Sequence, residues 1–273
     1  MNSSSAQKSD DRDLVDALIP SVIDAGDAIL AIRAQGHKVE KKNDDSPVTD
    51  ADHTAEAILL AALSSLAPEI PVLAEEEVAA GRAPALGNVF FAVDALDGTR
   101  DFIRGGTDFT VNIGLIRDAR PIAGIVGAPA LGMLWIGVVG LGARRIDLRV
   151  AEQPEIDISV RPPPEIGVHV VASRSHRTPE TDDFIARFPD ARIVAAGSSL
   201  KLVRIAEGAA DLYPRLGPTS QWDTAAGDAI LTAAGGRVID MGGHPLTYRP
   251  RIDEPKPFLN PWFVATGGLD PFS

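Results

Sequence analysis

The sequence predicts an α+β lobe with a mainly antiparallel sheet, followed by a lobe of α/β type. Two helical hydrophobic patterns precede consecutive strand-like segments, residues 161–164 form a proline-rich break, and short strand-like and helical segments alternate after it. Segregated elements are typical of α+β folds and alternating elements of α/β folds. We expect lobes at residues 13–160 and 165–273. They would form one functional unit that shares a site, since ligands favour lobe interfaces.

The first lobe opens with two predicted helices. Residues 1–12 are polar and lack the apolar run of a signal peptide, so we expect a disordered tail there. Apolar residues between positions 14 and 30 follow helical spacing, and Pro20 either starts or bends this helix. A second helix follows the cap-like Thr49 and Asp50 and buries apolar residues between positions 55 and 66.

Strand-like segments follow at residues 71–74, 89–93 and 109–116, and we expect a hairpin at 122–139 to complete an antiparallel sheet. The 23 residues from 121 to 143 carry no charge, a length that also suits a membrane helix. Six glycines and two prolines interrupt this segment. The turn signal at 128–132 therefore favours two buried strands over a membrane span.

The second lobe alternates strands and helices. Strands are predicted at residues 168–172, 192–195 and 211–214, and helices at 179–188, 198–207 and 223–234. Gly235 and Gly236 end the last helix. This alternation is the basis of the α/β assignment.

Composition excludes several function classes. The 273 residues include 38 acidic and 26 basic ones, a net charge of −12, which argues against a nucleic acid polymer as partner. The chain has no cysteine, which excludes disulfides, thiolate nucleophiles and zinc sites built on sulfur. Any metal site must therefore use oxygen ligands or histidines. The absence of cysteine is also compatible with a cytoplasmic location.

Carboxylates follow two apolar strands directly. Glu75 and Glu76 come after one predicted strand, and Asp94 and Asp97 after the next. Carboxylates crowded at strand ends repel one another and are costly to desolvate, so we expect a cation among them. Oxygen ligands point to Mg²⁺ or Mn²⁺. The alternative is that these residues are turn and cap residues, because Asp-Gly is a common turn.

Two further segments add to this acidic group. Gly98 permits close backbone approach, and Thr99 begins a predicted short helix whose free amides could hold a phosphate. The Thr99 hydroxyl could orient a water. Asp223 opens a later helix of small residues, and as a simple N-cap it would need no other role.

Two longer motifs carry a resemblance to a known family. The run Asp94-Ala95-Leu96-Asp97-Gly98-Thr99 matches the signature Asp-Pro-hydrophobic-Asp-Gly-Thr, and residues 222–227 match Trp-Asp-x-Ala-Ala-Gly. On these motifs the chain is identified as a member of the Mg²⁺-dependent, lithium-sensitive phosphatase superfamily that includes inositol monophosphatases. The resemblance runs from about residue 24 to 263 and implies a layered αβαβα sandwich.

Within this superfamily the chain most resembles the bacterial CysQ-type 3'(2'),5'-bisphosphate nucleotidases. The supporting stretches are residues 45–52, 71–76, 172–176, 197–201 and 212–219. The last stretch discriminates best, because inositol monophosphatases generally lack it. The chain departs from the first signature at Ala95, where the family has a proline that stiffens the turn. We expect an active enzyme with a slightly looser loop.

The resemblance assigns roles to individual residues. The implied Mg²⁺ ligands are Glu75, Asp94, the Leu96 carbonyl, Asp97 and Asp223. The implied catalytic residues are Asp52 and Thr99 beside the attacking water, with Glu76 behind the ligands, while the Gly98 and Thr99 amides bind phosphate. The implied substrate-binding residues are His176, Ser198, Lys201, Arg215 and Asp223. Lys201 and Arg215 could instead be solvated surface charges, and His176 could be merely structural.

The implied activity is hydrolysis of adenosine 3',5'-bisphosphate, or its sulfated relative, with about two or three Mg²⁺ ions and inhibition by Li⁺. Inositol monophosphate or histidinol phosphate hydrolysis is the nearest alternative. A nucleotide-binding protein without catalysis is an alternative of another class. The expected partner is a small bisphosphate nucleotide, with no integral membrane segment. A monomer is favoured, and the resemblance also admits peripheral association with the inner membrane.

Overall fold

The computed structural model describes residues 3–42, 46–172 and 178–272. Within these ranges the helices are α1 Ser3–Gln35, α2 Asp50–Leu66, α3 Glu75–Ala79, α4 Thr99–Ile103, α5 Pro179–Ile185, α6 Leu200–Ala206 and α7 Gln221–Ala233. The strands are β1 Val39–Lys41, β2 Pro47–Thr49, β3 Val72–Ala74, β4 Val89–Asp97, β5 Thr110–Arg117, β6 Arg120–Ala128, β7 Met133–Val138, β8 Gly142–Asp147, β9 Glu155–Ile158, β10 His169–Ala172, β11 Arg192–Ala195, β12 Leu212–Arg215, β13 Arg237–Asp240 and β14 Phe263–Thr266.

The N-terminal segment is the first departure from expectation. Helix α1 begins at Ser3, so the predicted disordered tail is wrong for residues 3–12, and Pro20 lies inside the helix. Asp11 is buried, and its carboxylate accepts bonds of 2.7 and 2.8 Å from the Arg117 guanidinium on β5. The polar composition suggested a tail, whereas this bidentate ion pair attaches the first turns to the sheet.

The first sheet has seven strands in the order β3-β4-β5-β6-β7-β8-β9. Only the β3–β4 pair is parallel, and the other pairs are antiparallel. The predicted hairpin is confirmed as β6 and β7, which are joined by a short 3-10 turn. It does not complete the sheet, however, because β8 and β9 follow, and their arginines and carboxylates obscured the strand pattern. In the described ranges, no helix is long and apolar enough to cross a membrane.

The second sheet has five strands in the order β11-β10-β12-β14-β13. The predicted α/β strands β10, β11 and β12 run parallel to one another. Strands β13 and β14, which the sequence did not predict, add antiparallel partners at the other side. The lobe is therefore a mixed rather than a purely parallel α/β unit.

Helix α7 lies between the two sheets. Glycines on β5 and β6 make room for it, since a Cβ on Gly114 would lie 2.8 Å from the Ala225 Cβ and one on Gly124 would lie 2.5 Å from the Ala226 oxygen. Helices α1 and α2 cover the opposite face of the first sheet, and α5 covers the outer face of the second. The layers therefore follow the αβαβα order that the family resemblance implies.

Candidate active site

Four carboxylates converge where β3, β4 and α7 meet. Glu75 begins α3 directly after β3, Asp94 and Asp97 occupy the end of β4, and Asp223 lies in the first turn of α7. Carboxylate oxygens of Glu75, Asp94 and Asp223 lie within 4.8 Å of one another. This all-oxygen set suits a hard divalent cation. The structure thus brings together residues that are almost 150 positions apart in the sequence.

The electrostatics of the cluster favour a cation. Burial raises the pKa of Asp94 well above its usual range, and the charges of Glu75, Asp97 and Asp223 raise it further. Burial likewise raises the pKa of Asp223, and Asp97 and Glu75 add to the effect. A positive charge among these groups would relieve both the desolvation and the repulsion.

Asp223 and Asp97 are held by specific hydrogen bonds. Asp223 is the third residue of α7, and its Oδ2 accepts the Ser220 amide at 2.9 Å in a capping box. The interpretation of Asp223 as a simple N-cap is therefore wrong in position, because Ser220 is the N-cap. Asp97 Oδ2 accepts bonds from the hydroxyls of Ser198 at 2.6 Å and Ser199 at 3.2 Å. These hydrogen bonds fix the Asp97 and Asp223 carboxylates within the acidic cluster.

Lys42 reaches the same cluster and was missed by sequence reasoning. Its Nζ lies 2.5 Å from the Oε1 atoms of both Glu75 and Glu76. Burial alone would lower the pKa of Lys42, but the two glutamates outweigh it and raise the pKa above the ordinary value. Lys42 follows another lysine in a polar segment, a pattern that indicates only solvated charge. Its role depends on tertiary structure.

Asp52 and Thr99 form a hydrogen-bonded pair beside the cluster. The Thr99 hydroxyl contacts Asp52 Oδ1 at 3.0 Å and the Leu96 carbonyl oxygen at 3.2 Å. Asp52 Oδ2 accepts two bonds of 2.7 Å from the amide and hydroxyl of Thr49, the cap of α2. Burial raises the pKa of Asp52, and the bonds from Thr49 and Thr99 partly oppose that rise. The pair connects the first turn of α2 to the end of β4.

The segment from Asp94 to Thr99 is a bulged strand end followed by a tight turn. Asp94 pairs with Asn112 and Asp97 with Thr110, so Ala95 and Leu96 together face one residue of β5. Ala95 is buried in this bulge, and the slightly looser loop expected from the missing proline stays a prediction. Gly98 has φ 99°, and a Cβ there would lie 2.8 Å from the Asp108 carbonyl oxygen. Only glycine fits both conditions.

Glu56 supports the acidic cluster from behind and was also missed. Its two carboxylate oxygens accept the amides of Glu76 at 2.9 Å and Glu77 at 3.1 Å. It thereby holds the first turn of α3, which carries Glu75. Burial raises the pKa of Glu56 to about 7. A signal was present in the sequence, because Glu56 lies on the apolar stripe of α2 one turn after Asp52.

Besides Asp223, the structure describes three of the predicted substrate residues, Ser198, Lys201 and Arg215. Ser198 lines the cavity, and its hydroxyl contacts the Asp97 carboxylate and the Thr110 hydroxyl. Lys201 and Arg215 are buried, so their interpretation as solvated surface charges is wrong. Lys201 Nζ donates to the Ser198 carbonyl at 2.5 Å, and burial lowers its pKa to about 8. His176 lies outside the described residues.

One cavity of about 840 Å³ joins these groups. Its lining includes the carboxylates of Glu75, Asp94, Asp97 and Asp223 and the side chains of Lys201 and Arg215. Residues 255–259 form a further wall, in which Phe258 contacts the Trp222 ring at 5.9 Å between centroids. The cavity thus combines carboxylates of residues 75–97 with Asp223, Lys201 and Arg215 from the later part of the chain.

Comparison with known proteins places this geometry in a family. Residues 10–254 match the inositol monophosphatase family. The chain belongs to this family. It is 42% identical to the 3'(2'),5'-bisphosphate nucleotidase CysQ of Salmonella typhimurium, over 89% of this chain and 95% of the relative. It is 40% identical to CysQ of Escherichia coli strain K12, over 92% and 98% of the two chains.

Solved structures agree with that placement. The crystal structure of CysQ from Bacteroides thetaiotaomicron, a bacterial member of the family, has a TM-score of 0.75 and 34% identity and covers 94% of this chain and 97% of its own. An IMPase from Thermotoga maritima has a TM-score of 0.72 over 94% and 93% of the chains, and at 24% identity it shows the fold alone. The chain is therefore a phosphatase of a metal-dependent family, and its acidic cluster is where a metal fits.

Proposed function

We propose that the protein is a Mg²⁺-dependent 3'(2'),5'-bisphosphate nucleotidase, which converts adenosine 3',5'-bisphosphate to AMP and phosphate. The observation that carries the proposal is a single cavity lined by both a carboxylate cluster and two buried cationic side chains. A substrate with one phosphate needs only the carboxylate end. A second phosphate explains why Lys201 and Arg215 are kept buried in the same cavity.

Arg215 is the clearest sign of a second anionic group. One of its terminal nitrogens donates to the Pro218 carbonyl at 2.5 Å, whereas its Nε is buried and has no partner among the described residues. A buried guanidinium donor without a partner is costly. Phosphate oxygens match the fork geometry of arginine. Lys201 adds a second positive charge near it, because the charge of Arg215 adds to burial in lowering the pKa of Lys201.

The chain's own residues account for water activation and phosphate binding. Mg²⁺, held by Glu75, Asp94, the Leu96 carbonyl, Asp97 and Asp223, would supply charge neutralisation and Lewis acidity. The Thr99 hydroxyl orients the attacking water and donates to Asp52 Oδ1, so the water's proton passes through this hydroxyl to the Asp52 carboxylate, which later releases it to solvent. The Gly98 and Thr99 amides hold phosphate oxygens as the bond from phosphorus to the ribose 3' oxygen breaks. The leaving oxygen takes a proton from solvent.

Glu76 and Ser198 act through other groups in this scheme. Glu76 pairs with Lys42 and so restrains the ammonium that also contacts Glu75. Ser198 orients Asp97 through its hydroxyl and Lys201 through its carbonyl. The resemblance assigned them catalysis and substrate binding respectively. The hydrogen bonds favour positioning roles.

The nucleoside would lie against residues 255–259. This wall brings Pro255, Pro257 and Phe258 to the cavity, and Phe258 is backed by the Trp222 ring. Flat apolar surfaces of this kind stack on purine bases. A sugar monophosphate would gain little from such a wall. The wall therefore favours a nucleotide over inositol phosphate.

Phosphate release tests the proposal directly. Purified protein is incubated with adenosine 3',5'-bisphosphate, AMP or inositol 1-phosphate, with Mg²⁺, with EDTA and with Mg²⁺ plus Li⁺. We expect Mg²⁺-dependent release from the bisphosphate, at least tenfold preferred over both monophosphates in kcat/KM, and inhibition by Li⁺. Preference for inositol 1-phosphate would reject the substrate assignment, and tight nucleotide binding without release would favour a non-catalytic binding protein.

The variant Asp97→Asn tests the assignment of the site. It keeps the side-chain shape, so the hydroxyls of Ser198 and Ser199 can still donate to its Oδ1. Because a ligand charge is lost, we expect turnover to fall by at least 100-fold with an unchanged circular dichroism spectrum. Near-normal activity would reject the assignment. A cytoplasmic location and a monomer belong to the same proposal, and cell fractionation and light scattering test them.

A further inference from the structure

Asn112, on strand β5, is a buried amide without a partner. Its exposed fraction is 0%, and neither Oδ1 nor Nδ2 has a hydrogen bond within the described residues. Buried polar groups are nearly always paired, because leaving one unpaired is costly. An apolar residue would suit the surrounding core better. The amide therefore needs an explanation outside fold stability.

The sheet register places Asn112 next to the metal cluster. In the antiparallel β4–β5 ladder Asn112 is directly opposite Asp94. Side chains of opposite residues point to the same face of the sheet, with Cβ atoms about 4.5–5.5 Å apart. Asp94 accepts one hydrogen bond in the described chain, from the Leu96 amide at 3.0 Å. Its carboxylate thus has capacity for a further donor.

The neighbours of Asn112 on the same face locate it beneath the cavity. Thr110, two residues before it, contacts the Ser198 hydroxyl. Gly114, two residues after it, lies against Ala225 of α7. Ala225 is two residues from Asp223 in the first turns of that helix. Asn112 therefore lies between the end of β4 and the start of α7, under the carboxylates.

We propose that Asn112 is a positioning residue for the cation site, whose amide N–H donates to the oxygen of Asp94 that faces away from the bound cation. A metal-binding carboxylate is normally fixed by a hydrogen bond to its other oxygen, and removing such a partner typically costs about 10–100-fold in metal affinity or activity. The unpaired amide of Asn112 would destabilise the metal-free fold, and it would gain its hydrogen bond when the Asp94 carboxylate turns to bind the cation. The inference rests on the cation site of the proposed function, but not on the identity of the substrate.

A matched pair of substitutions tests the donor. Asn112→Thr and Asn112→Val have nearly the same shape, but only threonine retains a hydrogen-bond donor. Mg²⁺ affinity is measured by calorimetry and by the rise in melting temperature on titration with Mg²⁺. We expect the valine variant to bind Mg²⁺ about 10–100-fold more weakly than the wild type, and the threonine variant at least threefold more tightly than the valine variant.

The melting temperature in EDTA separates this role from a structural one. Without metal we expect Asn112→Val to be more stable than Asn112→Thr, because a buried hydroxyl without a partner is costly. The order of stability without metal is then opposite to the order of Mg²⁺ affinity. Equal Mg²⁺ affinity in the two variants, or wild-type affinity in Asn112→Val, would overturn the proposal. Failure of the wild type to bind Mg²⁺ would reject the proposed function itself.

An NMR measurement on the wild type tests the same inference if the variants do not fold. The chain has five asparagines, so labelling asparagine alone with nitrogen-15 yields five side-chain amide pairs in an NMR spectrum. A trace of Mn²⁺ broadens the pair nearest the metal and so identifies Asn112. We expect Mg²⁺ to shift this pair and slow its hydrogen exchange. An amide pair that Mg²⁺ leaves unchanged in shift and exchange would contradict the inference.

Discussion

Replacing Asp228 by asparagine should stabilise the protein at alkaline pH and leave it unchanged in acid. Asp228 lies on α7 one turn after Thr224, is not part of the cavity lining, and is buried. Its carboxylate accepts bonds from the Tyr248 hydroxyl at 2.9 Å and the Thr232 hydroxyl at 3.1 Å. Burial raises its pKa from 3.8 to about 7, and the bonds from Tyr248 and Thr232 oppose that rise only in part.

The size and sign of the effect follow from this pKa. Above pH 3.8 the unfolded chain has lost the proton while the folded chain keeps it up to about pH 7, so the free energy of unfolding falls across this window. A shift of about 3 units at 1.36 kcal/mol each corresponds to about 4 kcal/mol in total. Between pH 5 and pH 8 the loss is about 2.5 kcal/mol. Asparagine does not titrate and avoids this loss.

Urea unfolding measures the effect. Wild type and Asp228→Asn are compared at pH 5 and pH 8 in EDTA, so that metal binding does not contribute. Other titrating groups cancel in the difference between the two proteins. We expect the variant's advantage to grow by about 2.5 kcal/mol from pH 5 to pH 8. The reasoning is refuted if the difference is the same at both values, or if the variant is less stable at pH 8.

Three further substitutions test the site. Lys42→Met should raise Mg²⁺ affinity by about tenfold, because it removes an ammonium that competes with the cation for Glu75. It should also lower stability without metal, because Glu75 and Glu76 then lose their cationic partner. Weaker Mg²⁺ binding in calorimetry would contradict this. Ala95→Pro should stabilise the bulge by about 0.4–1 kcal/mol and raise Mg²⁺ affinity, whereas a lower melting temperature would show that the site cannot accept proline. Phe258→Ala should raise KM for adenosine 3',5'-bisphosphate by about tenfold with little change for ribose 5-phosphate, and equal effects on both would remove the stacking role.

Much of the candidate site was predictable, because its residues lie in short continuous motifs. The run from Asp94 to Thr99 contains metal ligand, turn and helix start within six residues. The strand pattern before it was clear, since buried strands of the first sheet are continuous apolar segments. Less apolar elements such as β8, β9 and the first turns of α1 were missed. Ion pairs, which leave no periodic pattern, help to hold these segments.

The sequence alone determined the chemistry of this protein and the family of its fold. Oxygen ligands at strand ends and the absence of cysteine are local properties that need no partner to be recognised. Only the tertiary structure decided how Lys42, Glu56 and Asn112 act, because each depends on a group from another segment. Lys42 and Glu56 both reach the first turn of α3, and Asn112 lies opposite Asp94. Burial and charge at a site depend on distances between segments, and those distances are set by packing rather than by the order of residues.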